Sequence, residues 1–347
     1  MSDAQPVRAI STLNKDDLIV IGGAGGFIAG ALARYFHEQG FTRIRAIDKK
    51  PLPQWYQRTP GVESLCMDLS QWENCVRACE GAVEVYNLAA DMGGMGFIER
   101  FRIECLRSIL INTHMIEAAY QAGARRYFFS SSACAYNTDL QKSPDSRALK
   151  ESDAYPAMAE RGYGWEKLMS EMFCQEYWAE RGLTTAIARF HNVYGPFGTW
   201  DGGREKAPAA ICRKVVEAKD TGRHEIVIWG DGSQTRSFMY IDDCTDGIDR
   251  IMHCEDLIAT PINLGSSELI SVNALVNLAE DIGGIKLERK YDLDAPKGVG
   301  GRNSDNTMIQ QILHWEPGTT FRAGLEKTYA WIEQQYFARK AGKSVVL

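Results

Sequence analysis

No apolar run in this 347-residue sequence approaches the roughly 20 residues that a membrane-spanning helix requires. The chain also lacks an excess of positive charge. Its formal net charge is −6 and its pI about 5.6, and basic residues cluster only in pairs such as Lys49-Lys50 and Arg125-Arg126. Neither a nucleic acid nor a membrane surface is therefore expected as a partner. Histidine is scarce, with six residues dispersed along the chain, and the nine cysteines are odd in number and irregular in spacing. Cys75 and Cys79 stand i, i+4 on a helical pattern, but no nearby His or Cys pair completes a zinc set, so no metal is expected. All the cysteines except Cys134 are read as reduced, buried, small hydrophobes. Met1 to Ala9 shows no basic stretch followed by an apolar one, so no signal peptide is expected and the protein is read as cytoplasmic.

Hydrophobic residues make up 45% of the sequence, enough for one large core or two unequal lobes. Short β-rich runs alternate with helical patterns in the first half. Leu18 to Ile21 reads as a buried strand and Phe27 to Gln39 as the next helix. Ile44 to Ile47, Val83 to Asn87, Tyr127 to Phe129 and Thr185 to Phe190 read as further strands. Ile109 to Ala122 is helical and stops at Gly123. This alternation predicts an α/β fold with a parallel, doubly wound sheet. The second half is less regular. Gly195 to Gly203 and Leu293 to Asn306 read as loops, Asp231 to Ser233 as a turn, and Ala207 to Ala218 and Phe321 to about Lys340 as helices. Residues 1–190 are assigned mainly to a cofactor domain. Residues 191–347 are assigned mainly to a smaller, loop-rich α/β substrate lobe, with some chain crossing back.

Gly22-Gly23-Ala24-Gly25-Gly26-Phe27-Ile28-Ala29 lies between the first strand and the first helix. Glycines there let the backbone approach a pyrophosphate, which rests on the unpaired N–H groups of the helix N-terminus. A lone glycine motif is equally an ordinary tight turn. Its context argues otherwise. Asp48 ends the second strand, where a carboxylate accepts ribose hydroxyls and repels the 2′-phosphate of NADP, although Lys49 and Lys50 blur that distinction. Asp68 and Leu69 are placed near an adenine. Leu88, Ala89 and Ala90 end a further strand, where small side chains let a flat cofactor pass. A Rossmann-type half binding NAD through Gly23, Gly26, Phe27, Ile28, Asp48, Asp68, Leu69, Leu88, Ala89 and Ala90 is the expectation. Asn112 is expected to order the central strands.

Tyr163 and Lys167 stand one helical turn apart, downstream of the Ser130-Ser131-Ser132 strand end. On an amphipathic helix such a pair is often mere surface. After a glycine loop, an acidic strand end and a Ser-rich strand end, it is the layout of a nicotinamide-dependent dehydrogenase site. A tyrosine titrates near 10 in isolation, and an ammonium with a nicotinamide charge would lower that value. Ser132 is placed to bond the same substrate hydroxyl. Cys134, two residues on, would point the same way along a strand. Its thiol, near 8.5 when unperturbed and lowered by cations, adds a second acid/base beside the oxidised carbon. An adjacent ketone acidifies C–H bonds, and inverting one needs an acid and a base on opposite faces. Lys206 is the candidate partner, depressed by burial and Arg204, though a solvated loop lysine fits the sequence equally well.

Together these residues resemble the extended short-chain dehydrogenase/reductase family of NAD-dependent epimerases and dehydratases. The resemblance runs from about Ile19 to Trp331. It is carried by Asn87 to Ile98 (NLAADMGGMGFI), Ser131 to Tyr136 (SSACAY), Arg189 to Trp200 (RFHNVYGPFGTW), Gly202 to Ala210 (GGREKAPAA), Trp229 to Phe238 (WGDGSQTRSF) and Gly301 to Asn306 (GRNSDN). It implies Tyr163 as the base for oxidation at C4 of a nucleotide sugar, with Lys167 as its partner and both touching the cofactor. It implies Cys134 and Lys206 as the acid/base pair for inversion at C5 and C3, with GDP-mannose as the expected substrate and a homodimer as the assembly. Implied substrate contacts are Gly93, Ser132, Ala133, Cys134, Asn192, Glu205, Lys206, Ala207, Lys214, Gln234, Thr235, Arg236 and Arg302. Among these, Lys214, Arg236 and Arg302 suit a diphosphate clamp.

Three stretches depart from the family pattern. Asn137 stands where proline is usual and opens an unusual segment to Lys142. Ala157 to Gly162 differs before the tyrosine, and Arg223 to Ile228 carries a short insertion. Competing readings are a 4-epimerase, a 4,6-dehydratase, an epimerase for another nucleotide-linked hexose or heptose, and a non-catalytic NAD-binding regulator. Cys134 with Lys206 argues against the first two, and the retained Tyr163-Lys167 pair against the last.

Overall fold

A computed structural model describes residues 13–295 and 298–343; Met1 to Ala9, read above for a leader, lie outside the described residues. The first half builds strands and helices in alternation. They are β1 (Ile19–Gly22), α1 (Phe27–Glu38), β2 (Ile44–Asp48), β3 (Glu63–Cys66), α2 (Trp72–Cys79) and β4 (Glu84–Asn87). Three helices follow: α3 (Met95–Arg100), α4 (Arg102–Leu106) and α5 (Ser108–Gln121). Then come β5 (Arg126–Ser132), α6 (Tyr163–Arg181) and β6 (Thr184–Phe190). Seven strands pair in the order 10-6-5-4-1-2-3, where β10 is Pro261–Leu264. All six pairings are parallel, and β10 returns from the second half to extend the sheet beside β6.

The apolar runs explain why the sheet is covered on both faces. Parallel strands buried on both sides alternate their side chains between two cores. Ile19 and Ile21 join one cluster with Leu32 and Phe36 of α1, while Val20 joins the other with Cys75, Met115 and Ile116. Phe128 likewise faces the first, and Tyr127 and Phe129 the second. No helix among the described residues is long and apolar enough to cross a membrane.

The second half adds β7 (Asn192–Tyr194), α7 (Ala207–Thr221), β8 (Glu225–Trp229), β9 (Thr235–Tyr240) and α8 (Ile241–Met252). Beyond β10 lie β11 (Leu269–Ser271), α9 (Val272–Gly283), β12 (Glu288–Asp292), β13 (Gly301–Arg302), α10 (Thr307–Leu313) and α11 (Phe321–Lys340). A small sheet forms around β9, flanked by β11 and β13 and joined by β7, and β12 pairs with β8. The stretch Leu293 to Asn306, expected to be loop throughout, contains β13, whose Arg302 pairs in register with Arg236. A two-residue strand carries no periodicity, and its glycine-rich setting reads as a loop.

Candidate active site

A cavity of about 760 Å³ opens where the chain leaves the ends of β1, β2, β4 and β5. Every residue predicted for the cofactor lines it: Gly23, Gly26, Phe27, Ile28, Asp48, Asp68, Leu69, Leu88, Ala89, Ala90, Tyr163 and Lys167. Gly23 adopts φ +86°, and a Cβ there would come within 2.9 Å of the Ala89 backbone. The conformation and the close approach both require glycine. Gly26 is the residue before the first turn of α1, so the free N–H groups of that turn face the cavity. Asp48 accepts from the backbone N–H of Lys50 at 2.9 Å. The two lysines beside it are engaged elsewhere: Lys49 with Asp91, 2.5 Å away, and Lys50 with the carbonyl of Gly25, 3.2 Å away. A glycine cradle, a helix N-terminus and an acidic strand end fit the phosphates and ribose of a dinucleotide.

The helix carrying Tyr163 and Lys167 is pinned to the sheet by buried polar groups. Asn87 Nδ2 at the end of β4 donates to Asn112 Oδ1 of α5 at 2.9 Å. Asn112 Nδ2 donates to Glu166 and, at 2.8 Å, to Ser170 Oγ of α6. Arg189 of β6 grips Glu171 of α6 through two contacts of 2.9 and 2.7 Å, the planar, bidentate geometry that guanidinium favours. Lys167 is 1% exposed, its Nζ 5.4 Å from the centre of the Tyr163 ring and 4.7 Å from that of Phe129.

Several expectations about the chemical end change. Strand β5 stops at Ser132, and Ala133–Ala135 forms a 3-10 turn, so the alternation argument does not place Cys134. Ser132 Oγ instead accepts from the Cys134 N–H at 3.1 Å and caps that turn. The Cys134 side chain, 5% exposed, sits behind the cavity lining, with Arg302 Nη1 donating to its Sγ at 3.2 Å. Its thiol is pushed up from the ordinary range, not down: burial leads, Glu160 adds to it, and Arg302 opposes. Tyr163 is likewise pushed well up by burial, then by Cys134 and Glu166, against a hydrogen bond from Ser132. Lys206, half-buried on the cavity wall, is lowered by burial; Cys134 opposes that shift and Arg302 adds to it. Arg204, expected to act on it, is turned to Asp91 at 3.7 Å and to the ring of Phe97.

The residues implied for a substrate divide into groups. Gly93, Ser132 and Lys206 line the cavity, while Ala133 and Cys134 lie buried in the turn. Lys206 precedes the first residue of α7, Ala207, and Glu205 Oε1 lies 3.4 Å from Arg213. Asn192 donates to the Ser237 carbonyl at 3.1 Å. Gln234 donates to the Trp229 carbonyl at 2.8 Å, and its Oε1 is buried without a hydrogen-bond partner among the described residues. Thr235 bonds the Pro144 carbonyl at 2.6 Å. The three cations of the expected clamp are engaged differently. Lys214 donates to the Val227 carbonyl, Arg236 to backbone carbonyls that include Val299, and Arg302 faces the thiol.

Sequence reasoning missed Glu160, Gln141 and Gly164. Arg302 Nε donates to Gln141 at 2.6 Å, and its Nη2 lies 3.3 Å from Glu160 Oε2. A Cβ on Gly164 would lie 2.1 Å from the Cys134 carbonyl oxygen, so the first turn of α6 packs directly on the thiol-bearing turn. Gln141 and Glu160 fall in two of the stretches that depart from the family pattern, but no spacing ties either to residue 302. Tyr194 and Gly195, within a quoted motif, also line the cavity.

A parallel sheet in this order with a glycine cradle and a Tyr-x-x-x-Lys helix defines a dinucleotide-dependent enzyme of the short-chain type. Residues 19–265 match the NAD dependent epimerase/dehydratase family, and the chain belongs to that family. It is 44% identical to the GDP-mannose 3,5-epimerase of Arabidopsis thaliana over 94% of this chain and 85% of that protein. It is 42% identical to the GDP-mannose 3,5-epimerase 1 of Oryza sativa subsp. japonica, over 91% and 82% of the two chains. Among solved structures it is similar to the UDP-glucose 4-epimerase of Thermotoga maritima determined with UDP-glucose. The TM-score there is 0.80 at 21% identity, covering 92% of this chain and 99% of that one.

Proposed function

We propose that this protein inverts C3 and C5 of GDP-mannose, towards GDP-L-galactose and GDP-L-gulose, with a bound NAD that is regenerated in every cycle. The observation that carries the reading is a buried thiol, Cys134, held by Arg302 at 3.2 Å on the turn that Ser132 caps, with the Lys206 amine and the Tyr163-Lys167 pair on the wall of one cavity. A 4-epimerase needs only the Tyr163-Lys167 pair. Gly23, Gly26 and the start of α1 would hold the pyrophosphate, and Asp48 the ribose. NAD bound there supplies the hydride acceptor at C4 and returns the hydride. Tyr163 takes the C4 hydroxyl proton, Lys167 stabilises the phenolate, and Ser132 orients the hydroxyl. Cys134 and Lys206 then exchange protons with the carbons flanking the ketone. Residues 1–190 serve mainly the cofactor and 191–347 mainly the sugar nucleotide.

A homodimer fits the same reading. Trp165, Met169 and Met172 stand on one face of α6 at 45, 53 and 51% exposure, and Ile103, Leu106 and Leu110 are exposed on α4 and α5. Single exposed hydrophobics need no explanation, but a helical stripe of them marks a contact surface.

The test is incubation with GDP-mannose in deuterated water, followed by NMR of the product. Deuterium at both C3 and C5 is the expected result. An unlabelled C4 epimer or a 4-keto-6-deoxy sugar would overturn the assignment in favour of the 4-epimerase or 4,6-dehydratase reading.

A further inference from the structure

Arg302 distributes its three nitrogens over three side chains. Nε goes to Gln141 and Nη1 to the Cys134 sulfur, while Nη2 lies 3.3 Å from Glu160 Oε2. One guanidinium therefore holds a thiol and a carboxylate side by side. The backbone fixes the same juxtaposition. The Glu160 N–H donates to the Cys134 carbonyl at 3.0 Å, and the Glu160 carbonyl accepts from Gly164 N at 2.9 Å in the first turn of α6. Glu160 Oε1 is buried and without a hydrogen-bond partner among the described residues. A buried, unmatched carboxylate oxygen is costly, and an adjacent S–H is a donor that relieves it.

Resting on the epimerase reading, we propose that Glu160 is a positioning residue for Cys134: its carboxylate keeps the proton on sulfur, so that Cys134 opens each turnover as proton donor and Lys206 as acceptor. The protons balance. The neutral Lys206 amine takes the C–H proton and becomes ammonium, and the electron pair passes to the enolate of the C4 ketone. The Cys134 S–H protonates the opposite face and leaves a thiolate against Arg302. A proton returned to sulfur and one released from the ammonium, both exchanged with water, restore the starting pair. The groups acting on the thiol come from every neighbouring element. Glu160 precedes α6, Arg302 is on β13, Arg236 on β9 and Lys206 at the start of α7, with Tyr163 on α6 and Cys105 on α4. Of the side chains among these that carry charge, Glu160 is the anion, so it alone favours the protonated thiol.

The experiment is the pH profile of deuterium incorporation from water into GDP-mannose, for the wild type, Glu160→Gln and Glu160→Asp. Removing the anion stabilises the thiolate, so the basic limb should move to lower pH by about one unit in Glu160→Gln, and Glu160→Asp should restore it in large part. Thiolate absorbance, taken against the same protein carrying Cys134→Ser, should show the same shift without turnover. Where the glutamine variant does not fold, Glu160→Ala removes the same charge and carries the test. A limb that stays in place while the rate falls at every pH would mark Glu160 as merely structural and overturn the proposal. A wild type that incorporates no label would instead remove the epimerase reading on which it rests.

Discussion

The two ends of the candidate site are built by different means. At the cofactor end, backbone does most of the work: a glycine at φ +86°, the first turn of α1, and strand ends adjacent through β1, β2 and β4. At the thiol end, side chains do it, and they come from positions 134, 141, 160, 206, 236 and 302. Backbone sites tolerate exchange of their neighbours, because the donors are main-chain N–H groups. Side-chain sites depend on each partner, because in a buried setting one unpaired group costs more than a satisfied pair contributes.

That contrast makes the two ends separable by mutation. Cys134→Ser and Lys206→Ala should each lower epimerisation by about 10²- to 10⁴-fold, the range of a lost general acid or base, while leaving NAD binding intact by fluorescence titration. Loss of NAD binding in either would erase the distinction between the ends. Gly23→Ala should have the converse phenotype. Its Cβ would meet the Ala89 backbone at 2.9 Å, so NAD affinity should fall by at least about tenfold, alongside the roughly 1 kcal/mol a side chain pays in a left-handed conformation. Unchanged NAD affinity would place the pyrophosphate elsewhere.

The smallest effect should come from outside both ends. His253 Nε2 lies 3.0 Å from Glu84 and Nδ1 2.9 Å from Asp249. Burial works against the imidazolium, yet these carboxylates raise it to about 10. A histidine raised in the fold stabilises fully below its unfolded value near 6.5 and loses that contribution as pH rises through about 10. His253→Gln should therefore lower Tm by a few degrees at pH 6 and by progressively less towards pH 10, with turnover unaffected. A Tm difference independent of pH would mean that the pair carries no charge.

What the sequence disclosed follows the same line. The glycine loop, Asp48 and Leu88 to Ala90 are local patterns, and all reached the cavity. The strands and helices flanking them were legible because hydrophobic periodicity is local too. Arg302 was available only through resemblance, and its grip on Cys134 arises from β13, a strand too short to leave a pattern. Glu160 gave no signal beyond lying in a stretch that departs from the family pattern, since nothing in a linear sequence ties position 160 to 302. The pKa direction of Cys134 was misjudged for a related reason. Neighbouring charges can be counted along a sequence, but burial depends on how the whole chain closes.

Gly164 has one further consequence. Where a side chain would sit, the carbonyl of Cys134 stands only 2.1 Å from the would-be Cβ, so the tyrosine helix and the thiol turn meet main chain against main chain. The interval between the Tyr163 helix and the Cys134 turn is thus a fixed gauge, set by two backbones with no packing layer between them. Redesign of the pocket walls, for a different sugar or a different base, can proceed around that gauge without resetting it.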